Sequence, residues 1–158
     1  MAIRPLTTDM SPEKKLAKIS TMEKNTLRDA AFAAMNLAQA RVSNIRVGAA
    51  VLAYNREGQS SIFPGCNLEI SYSRAFHAEN VALLKALSSG YTDVRAIAVT
   101  SDKITKQGAA MCGCCRQDYM YLNPYCLIYV FSADRSLKLK IKLIDTIKFP
   151  YLTKRMIK

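Results

Sequence analysis

Histidine occurs once in this chain of 158 residues, as His77, so any imidazole chemistry runs through that one ring. No apolar run approaches the roughly 18 residues that span a bilayer. The opening Met1-Ala2-Ile3-Arg4-Pro5-Leu6-Thr7-Thr8-Asp9 lacks the apolar core of a secretory signal. The expectation from these absences is a cytoplasmic protein with no membrane association. Repeats, linkers and low-complexity stretches are missing too, so we expect residues 1–20 as an amino-terminal extension and 21–158 as a single domain. Acidic residues are scarce, 12 against 23 lysines and arginines, which gives a formal charge of +11. Much of the excess lies at the carboxyl end, in Arg135, Lys138, Lys140, Lys142, Lys148, Lys154, Arg155 and Lys158. Such a surface attracts nucleic acid or phosphorylated substrates. Few of these charges alternate with aromatics in a stacking pattern, so a solvated basic face is favoured over a nucleic-acid partner.

The five cysteines are Cys66, Cys112, Cys114, Cys115 and Cys126. An odd count, with three packed into four positions, favours metal or reactive thiols over a disulfide framework. The coarse element reading starts with a helix signal at Ser11-Pro12-Glu13 and an alanine-rich helix from about Thr21 to Arg41. Gly48 to Tyr54 reads as a buried strand, Asn55 to Gly58 as a turn, and Ser61 to Pro64 as a second strand. Arg74 to Leu87 reads as a helix with Val81, Leu84, Ala86 and Leu87 facing a core. Strands follow at Val94 to Thr100, Cys126 to Phe131 and Leu137 to Ile141, with a helix at Gly113 to Leu122 and a short one at Leu143 to Phe149. Helices separate most strands, which predicts an α/β fold with helices on both faces of one sheet.

His77 opens the run His77-Ala78-Glu79, and Cys112 and Cys115 form a C-x-x-C pair about thirty-five residues on. One neutral imidazole and two thiolates hold Zn2+ through three protein ligands and leave a fourth position for water. Two thiolates cancel the charge of the ion, so it stays electrophilic enough to acidify that water. All three ligands fall at predicted helix starts, where backbone N–H groups favour thiolate. Glu79, two residues after the histidine, is placed to move protons between the attacking water and the departing amine. H-x-E followed by C-x-x-C is a pattern known from zinc deaminases. A closed structural zinc is the alternative, with Cys114 or Cys66 as a fourth ligand.

With these motifs the sequence resembles the cytidine deaminase family over roughly Ala30 to Val130. The segments that carry the likeness are Val47 to Leu52, Gly65-Cys66-Asn67-Leu68-Glu69, His77 to Glu79, Ala96 to Val99 and Cys112 to Gln117. The resemblance implies a three-layer α/β/α fold with a five-stranded mixed sheet, a zinc deaminase domain, and single-domain chains assembled as a homotetramer or homodimer. It implies that Asn67 and Glu69 bond the sugar hydroxyls of a nucleoside, that Ile45 stands where the family packs against the base, and that Ala78 also binds the substrate. Departures are visible. Histidine stands where small tetrameric members commonly have a first cysteine, and Asn80 where they have a charge-compensating arginine. Ile45 replaces a phenylalanine, Met111 a proline, and the segment between Asn67 and His77 is about one residue short. The carboxyl end has no clear counterpart to an aromatic that reaches a neighbouring site. The expected activity is hydrolytic deamination of cytidine or deoxycytidine to uridine or deoxyuridine and ammonia. The alternatives are deamination of a modified cytosine nucleoside, a blasticidin-like nucleoside or a free base, action on a polynucleotide, and a non-catalytic zinc module.

Overall fold

The computed structural model describes residues 19–103 and 111–148. The helix start expected at Ser11-Pro12-Glu13, nearly all of the expected extension and the last ten residues lie outside them.

Helix α1 spans Thr21–Met35 and opens with a reciprocal cap. The Ser20 hydroxyl accepts from the Glu23 N–H, and the Glu23 carboxylate accepts from the Ser20 N–H. The helix was expected to reach Arg41 but ends six residues earlier. The backbone beyond it is claimed by a strand: Gln39 N–H donates to the Asn67 carbonyl, and Glu69 N–H donates to the Gln39 carbonyl. Such non-local pairing overrides the helical propensity of Ala38 and Ala40.

The main sheet comprises β1 (Val47–Tyr54), β2 (Ser60–Cys66), β5 (Asp93–Ser101), β6 (Leu127–Phe131) and β7 (Leu137–Lys142), ordered β2-β1-β5-β6-β7. Only β5 and β6 run parallel, so the sheet is mixed. Its side chains alternate between two cores. Ala50, Leu52, Ala96, Ala98, Tyr129 and Phe131 pack with Leu27 and Ala31 of α1. On the other face, Ala49, Val51, Ile97, Val99, Ile128 and Val130 pack with α2 (Ala78–Ser88) and α3 (Gly113–Met120). This is the expected three-layer α/β/α arrangement.

Two expectations need correction. Arg74–Phe76 is not the first turn of a helix but strand β4, paired antiparallel with β3 (Leu68–Ser71) in a separate hairpin. Helix α2 therefore begins at Ala78, with His77 as its N-cap. Leu84 was expected in the core yet is 58 % exposed, because Ala78, Ala82 and Ala86 carry the buried face with Leu83. These small residues let the helix lie close on β2. A Cβ on Gly65 would come within 2.5 Å of the Ala78 carbonyl oxygen and 2.4 Å of the Ala82 nitrogen, so only glycine permits the approach that seats the first turn of α2. The short helix expected from Leu143 to Phe149 is a 3-10 turn at Leu143–Thr146.

Candidate active site

Two helix starts meet beside the end of β5. His77 is the N-cap of α2 and Cys112 the N-cap of α3, while Cys115 lies in the first turn of α3. The Cys115 N–H donates to Cys112 Sγ at 3.5 Å, as a capping group receives it. His77 Nδ1 lies 3.2 Å from Cys112 Sγ and 3.3 Å from Cys115 Sγ, and the three donor atoms fall within 4.8 Å of one another. Tetrahedral zinc with Zn–S of about 2.3 Å and Zn–N of about 2.0 Å calls for nitrogen and sulfur roughly 3.5 Å apart. The residues fit the ion. Cys114 points into solvent, and neither it nor Cys66 joins the cluster, so the described residues supply three ligands and no fourth. That is the donor count of an open site rather than a closed structural one.

Glu79 follows in the first turn of α2, 5 % exposed. Burial pushes its carboxyl above the ordinary range, outweighing its own backbone N–H and the nearby His77, which pull it down. A raised carboxyl beside a metal site suits a group that must take up and release a proton near neutrality. Burial, followed by the charges of Glu79 and Cys112, also drives the Cys115 thiol far up. A bound dication reverses that preference, because a coordinating thiol is deprotonated outright.

The ligands open onto a cavity of about 290 Å³ that reaches Glu79 and Cys112 at one end and Asn67 and Glu69 at the other. Ile45 and Ala78 line it as well. Every site residue singled out in the sequence except Cys115, which is buried behind the cluster, thus touches one cavity. Asn67 and Glu69 have additional work. Asn67 is buried, with Nδ2 donating to the Ile45 carbonyl and Oδ1 accepting from the Val47 N–H. The Glu69 carboxylate accepts from the Val42 N–H, the Ser43 N–H and the Ser43 hydroxyl, and these bonds hold it below its ordinary range. An ionised carboxylate has about four acceptor positions and an amide two donors and two acceptors, so each side chain keeps capacity for a ligand hydroxyl. Met111 is 2 % exposed in the core and does not line the cavity.

Sequence inspection missed Ser43, Ala75, Phe76, Val99 and Ser101, which also line the cavity. Val99 and Ser101 are two apart on β5, so strand alternation could have placed them on one face. For Ser43 only the turn-like Ser43-Asn44 pair offered a signal, and Asn44 does adopt a left-handed φ of 54°.

Comparison with known proteins agrees with this geometry. The sequence model for the cytidine and deoxycytidylate deaminase zinc-binding region matches residues 21–130. A cytidine deaminase of Halalkalibacterium halodurans is 40 % identical over 104 residues, covering 65 % of this chain and 74 % of that protein. A probable cytidine deaminase of Dictyostelium discoideum is 38 % identical over 109 residues, covering 68 % and 70 %. Among solved structures, the cytidine deaminase of Burkholderia pseudomallei superposes with a TM-score of 0.70 at 30 % identity, over 84 % of this chain and all of that one. With its three-layer fold and its His-Cys-Cys cluster beside a buried glutamate, this chain belongs to the cytidine and deoxycytidylate deaminase family.

Proposed function

We propose that the protein is a zinc-dependent hydrolase that converts cytidine or deoxycytidine, with water, to uridine or deoxyuridine and ammonia. One observation carries the reading: the His77 ring nitrogen and the two sulfurs converge at zinc-ligand spacing on the cavity that Glu79 enters. His77, Cys112 and Cys115 hold the ion. Zinc supplies Lewis acidity that makes water nucleophilic near neutral pH. Glu79 accepts a proton from the attacking water and passes it to the ring nitrogen next to the amino carbon, then carries the remaining proton of the added hydroxyl to the amine as it leaves. Its burial raises its proton affinity, which suits a group that takes up and releases a proton during the reaction. Asn67 and Glu69 bond the sugar, and Ile45 and Ala78 wall the base. The reading includes a cytoplasmic setting and a homotetramer or homodimer. The oligomer would bury exposed apolar side chains such as Ile70 and Tyr72, which are 68 % and 95 % exposed on and beside the β3–β4 hairpin.

A second substrate, another aminated heterocycle, is favoured by Ile45 alone. It is 40 % exposed in the cavity and offers the base an aliphatic contact, and the aromatic side chain lining that cavity is Phe76. Action on a polynucleotide is disfavoured by the placement of the basic strand. Lys140 pairs with Tyr129 across β6 and β7 and lies over its ring, so the row Lys138, Lys140 and Lys142 projects on the α1 face of the sheet. The cavity opens on the other face.

The test is ammonia release from a panel of aminated nucleosides and bases, with zinc measured on the same sample. Cytidine or deoxycytidine should lead the panel. Zinc-loaded protein that releases ammonia from neither would end this reading.

A further inference from the structure

The zinc ligands sit on two different helices, and Glu79 reaches the site from only one of them. What holds α2 in register with α3 therefore sets the geometry of the whole centre. Two cross-helix bonds do this from adjacent residues. The Tyr119 hydroxyl donates to the main-chain carbonyl of Glu79 at 2.7 Å, and Asn80 Nδ2 donates to Asp118 Oδ2 at 3.0 Å. Asp118 and Tyr119 lie in the last turn of α3, whose first turn holds Cys115. Cys115 and Tyr119 are four residues apart, on the same buried side of that helix. On the opposing helix, Glu79 and Asn80 lie two and three residues after His77, and the His77 carbonyl accepts from the Val81 N–H at 3.0 Å, which ties the ligand to the same turn. Among the described residues no other side chain bonds the Glu79 carboxylate, so its placement depends on the backbone that Tyr119 grips.

Building on the deaminase reading above, we propose that Tyr119 and the Asn80–Asp118 pair are positioning residues. They bolt the first turn of α2 to α3 and so fix Glu79 and His77 relative to Cys112 and Cys115. Tyr119 is 1 % exposed, and its ring fills the core whether or not the hydroxyl is present, so the hydroxyl bond is separable from packing. Displacing a proton-transfer group by about 1 Å costs on the order of 100-fold in rate. Loosening one of two bolts should cost less.

The test uses the full zinc-loaded chain. Tyr119→Phe keeps the ring and removes one bond. Asn80→Asp sets two carboxylates against each other, and the exchanged pair N80D with D118N restores one donor and one acceptor. We expect kcat per bound zinc to fall about tenfold in Tyr119→Phe and in Asn80→Asp, with KM within about twofold. Zinc affinity, read by chelator competition, should weaken by about tenfold in Asn80→Asp, as for other groups that orient metal ligands. Both quantities should recover in the exchanged pair. Unchanged kcat per zinc and unchanged zinc affinity in the single variants would overturn the proposal, even if their Tm falls. So would an exchanged pair no better than Asn80→Asp. Should the unmodified protein release no ammonia from any nucleoside, the deaminase reading fails by itself. The chelator measurement then decides this proposal alone, weakening and recovery supporting it and constancy rejecting it.

Discussion

The two ends of the cavity are built on opposite plans. At the metal end the polar atoms face one another: a ring nitrogen and two sulfurs within bonding reach of a common centre, and a buried carboxyl beside them. Among the described residues their main-chain partners are few: the Cys115 N–H on Cys112 Sγ and Glu79's own N–H on its carboxyl. At the other end, the proposed sugar site, Asn67 is tied to backbone and Glu69 to backbone and Ser43, and each retains only part of its capacity. A ring nitrogen and two sulfurs converging at ligand spacing suit a shared dication. A clamp implies that ligand binding and loop order share the same side chains. The contrast predicts that metal-end substitutions abolish chemistry, whereas sugar-end substitutions degrade recognition.

The sharpest break should come from Glu79→Gln. The amide keeps the shape but cannot cycle a proton, so kcat should fall by about 10³ to 10⁴ while one zinc per chain is retained. Ammonia release and metal content on one sample check this. Parallel loss of zinc would move Glu79 from proton carrier to ligand. Next comes Cys115→Ala, which removes a ligand and should abolish zinc binding and activity together. A chelator should reproduce both losses in the unmodified protein and lower its Tm, since an ion that binds only the folded chain stabilises it by mass action. Added zinc should restore the unmodified protein and leave the variant inactive.

At the other end, Glu69→Ala should raise KM for cytidine by roughly 10- to 100-fold, the order of a lost charged hydrogen bond, with a smaller change in kcat. Turnover of a free base, which has no sugar to hold, should change little. If nucleoside KM stays constant, Glu69 is a loop clamp only, and the two ends differ more than proposed here.

How much of this was legible in the sequence follows the same division. His77, Glu79, Cys112 and Cys115 could be read directly, because ligand chemistry restricts residue type and the two short motifs keep their spacing on helix starts. The continuous apolar strands β1, β5 and β6 and the lysine-leucine period of β7 were equally plain. The β3–β4 hairpin was not. Its strands have four and three residues, its turn at Tyr72-Ser73 lacks glycine or asparagine, and Arg74–Phe76 runs straight into a helical pattern. The bolt from Tyr119 to Glu79 and the clamp from Asn67 to Val47 join residues 40 and 20 apart in sequence. Local periodicity says nothing about such partners. Asn67 and Glu69 were singled out by resemblance, and from residues alone they read as a polar turn after Gly65.

The smallest expected effect concerns Ser43, which lines the cavity and holds Glu69 in the clamp. Its hydroxyl is the largest influence holding the Glu69 carboxyl below the ordinary range, followed by the Ser43 and Val42 N–H groups. A carboxyl whose folded-state pKa is depressed contributes fully above its unfolded value, about 4.3 for glutamate, and loses that contribution as pH falls through the folded value. In the unmodified protein the clamp should therefore persist below the ordinary carboxylate range, and KM for cytidine should stay flat until the medium is more acidic than that. Ser43→Ala removes the hydroxyl but leaves both N–H donors, so at neutral pH KM should rise only a few-fold. The acid-side increase in KM should then set in at higher pH, closer to the ordinary glutamate value. A KM profile measured from neutral to acid on both proteins distinguishes this from simple loss of a contact, which would lift the curve at every pH without moving its inflection. An unmoved inflection would mean that Glu69 meets the sugar independently of the loop, and the clamp would then be packing rather than recognition.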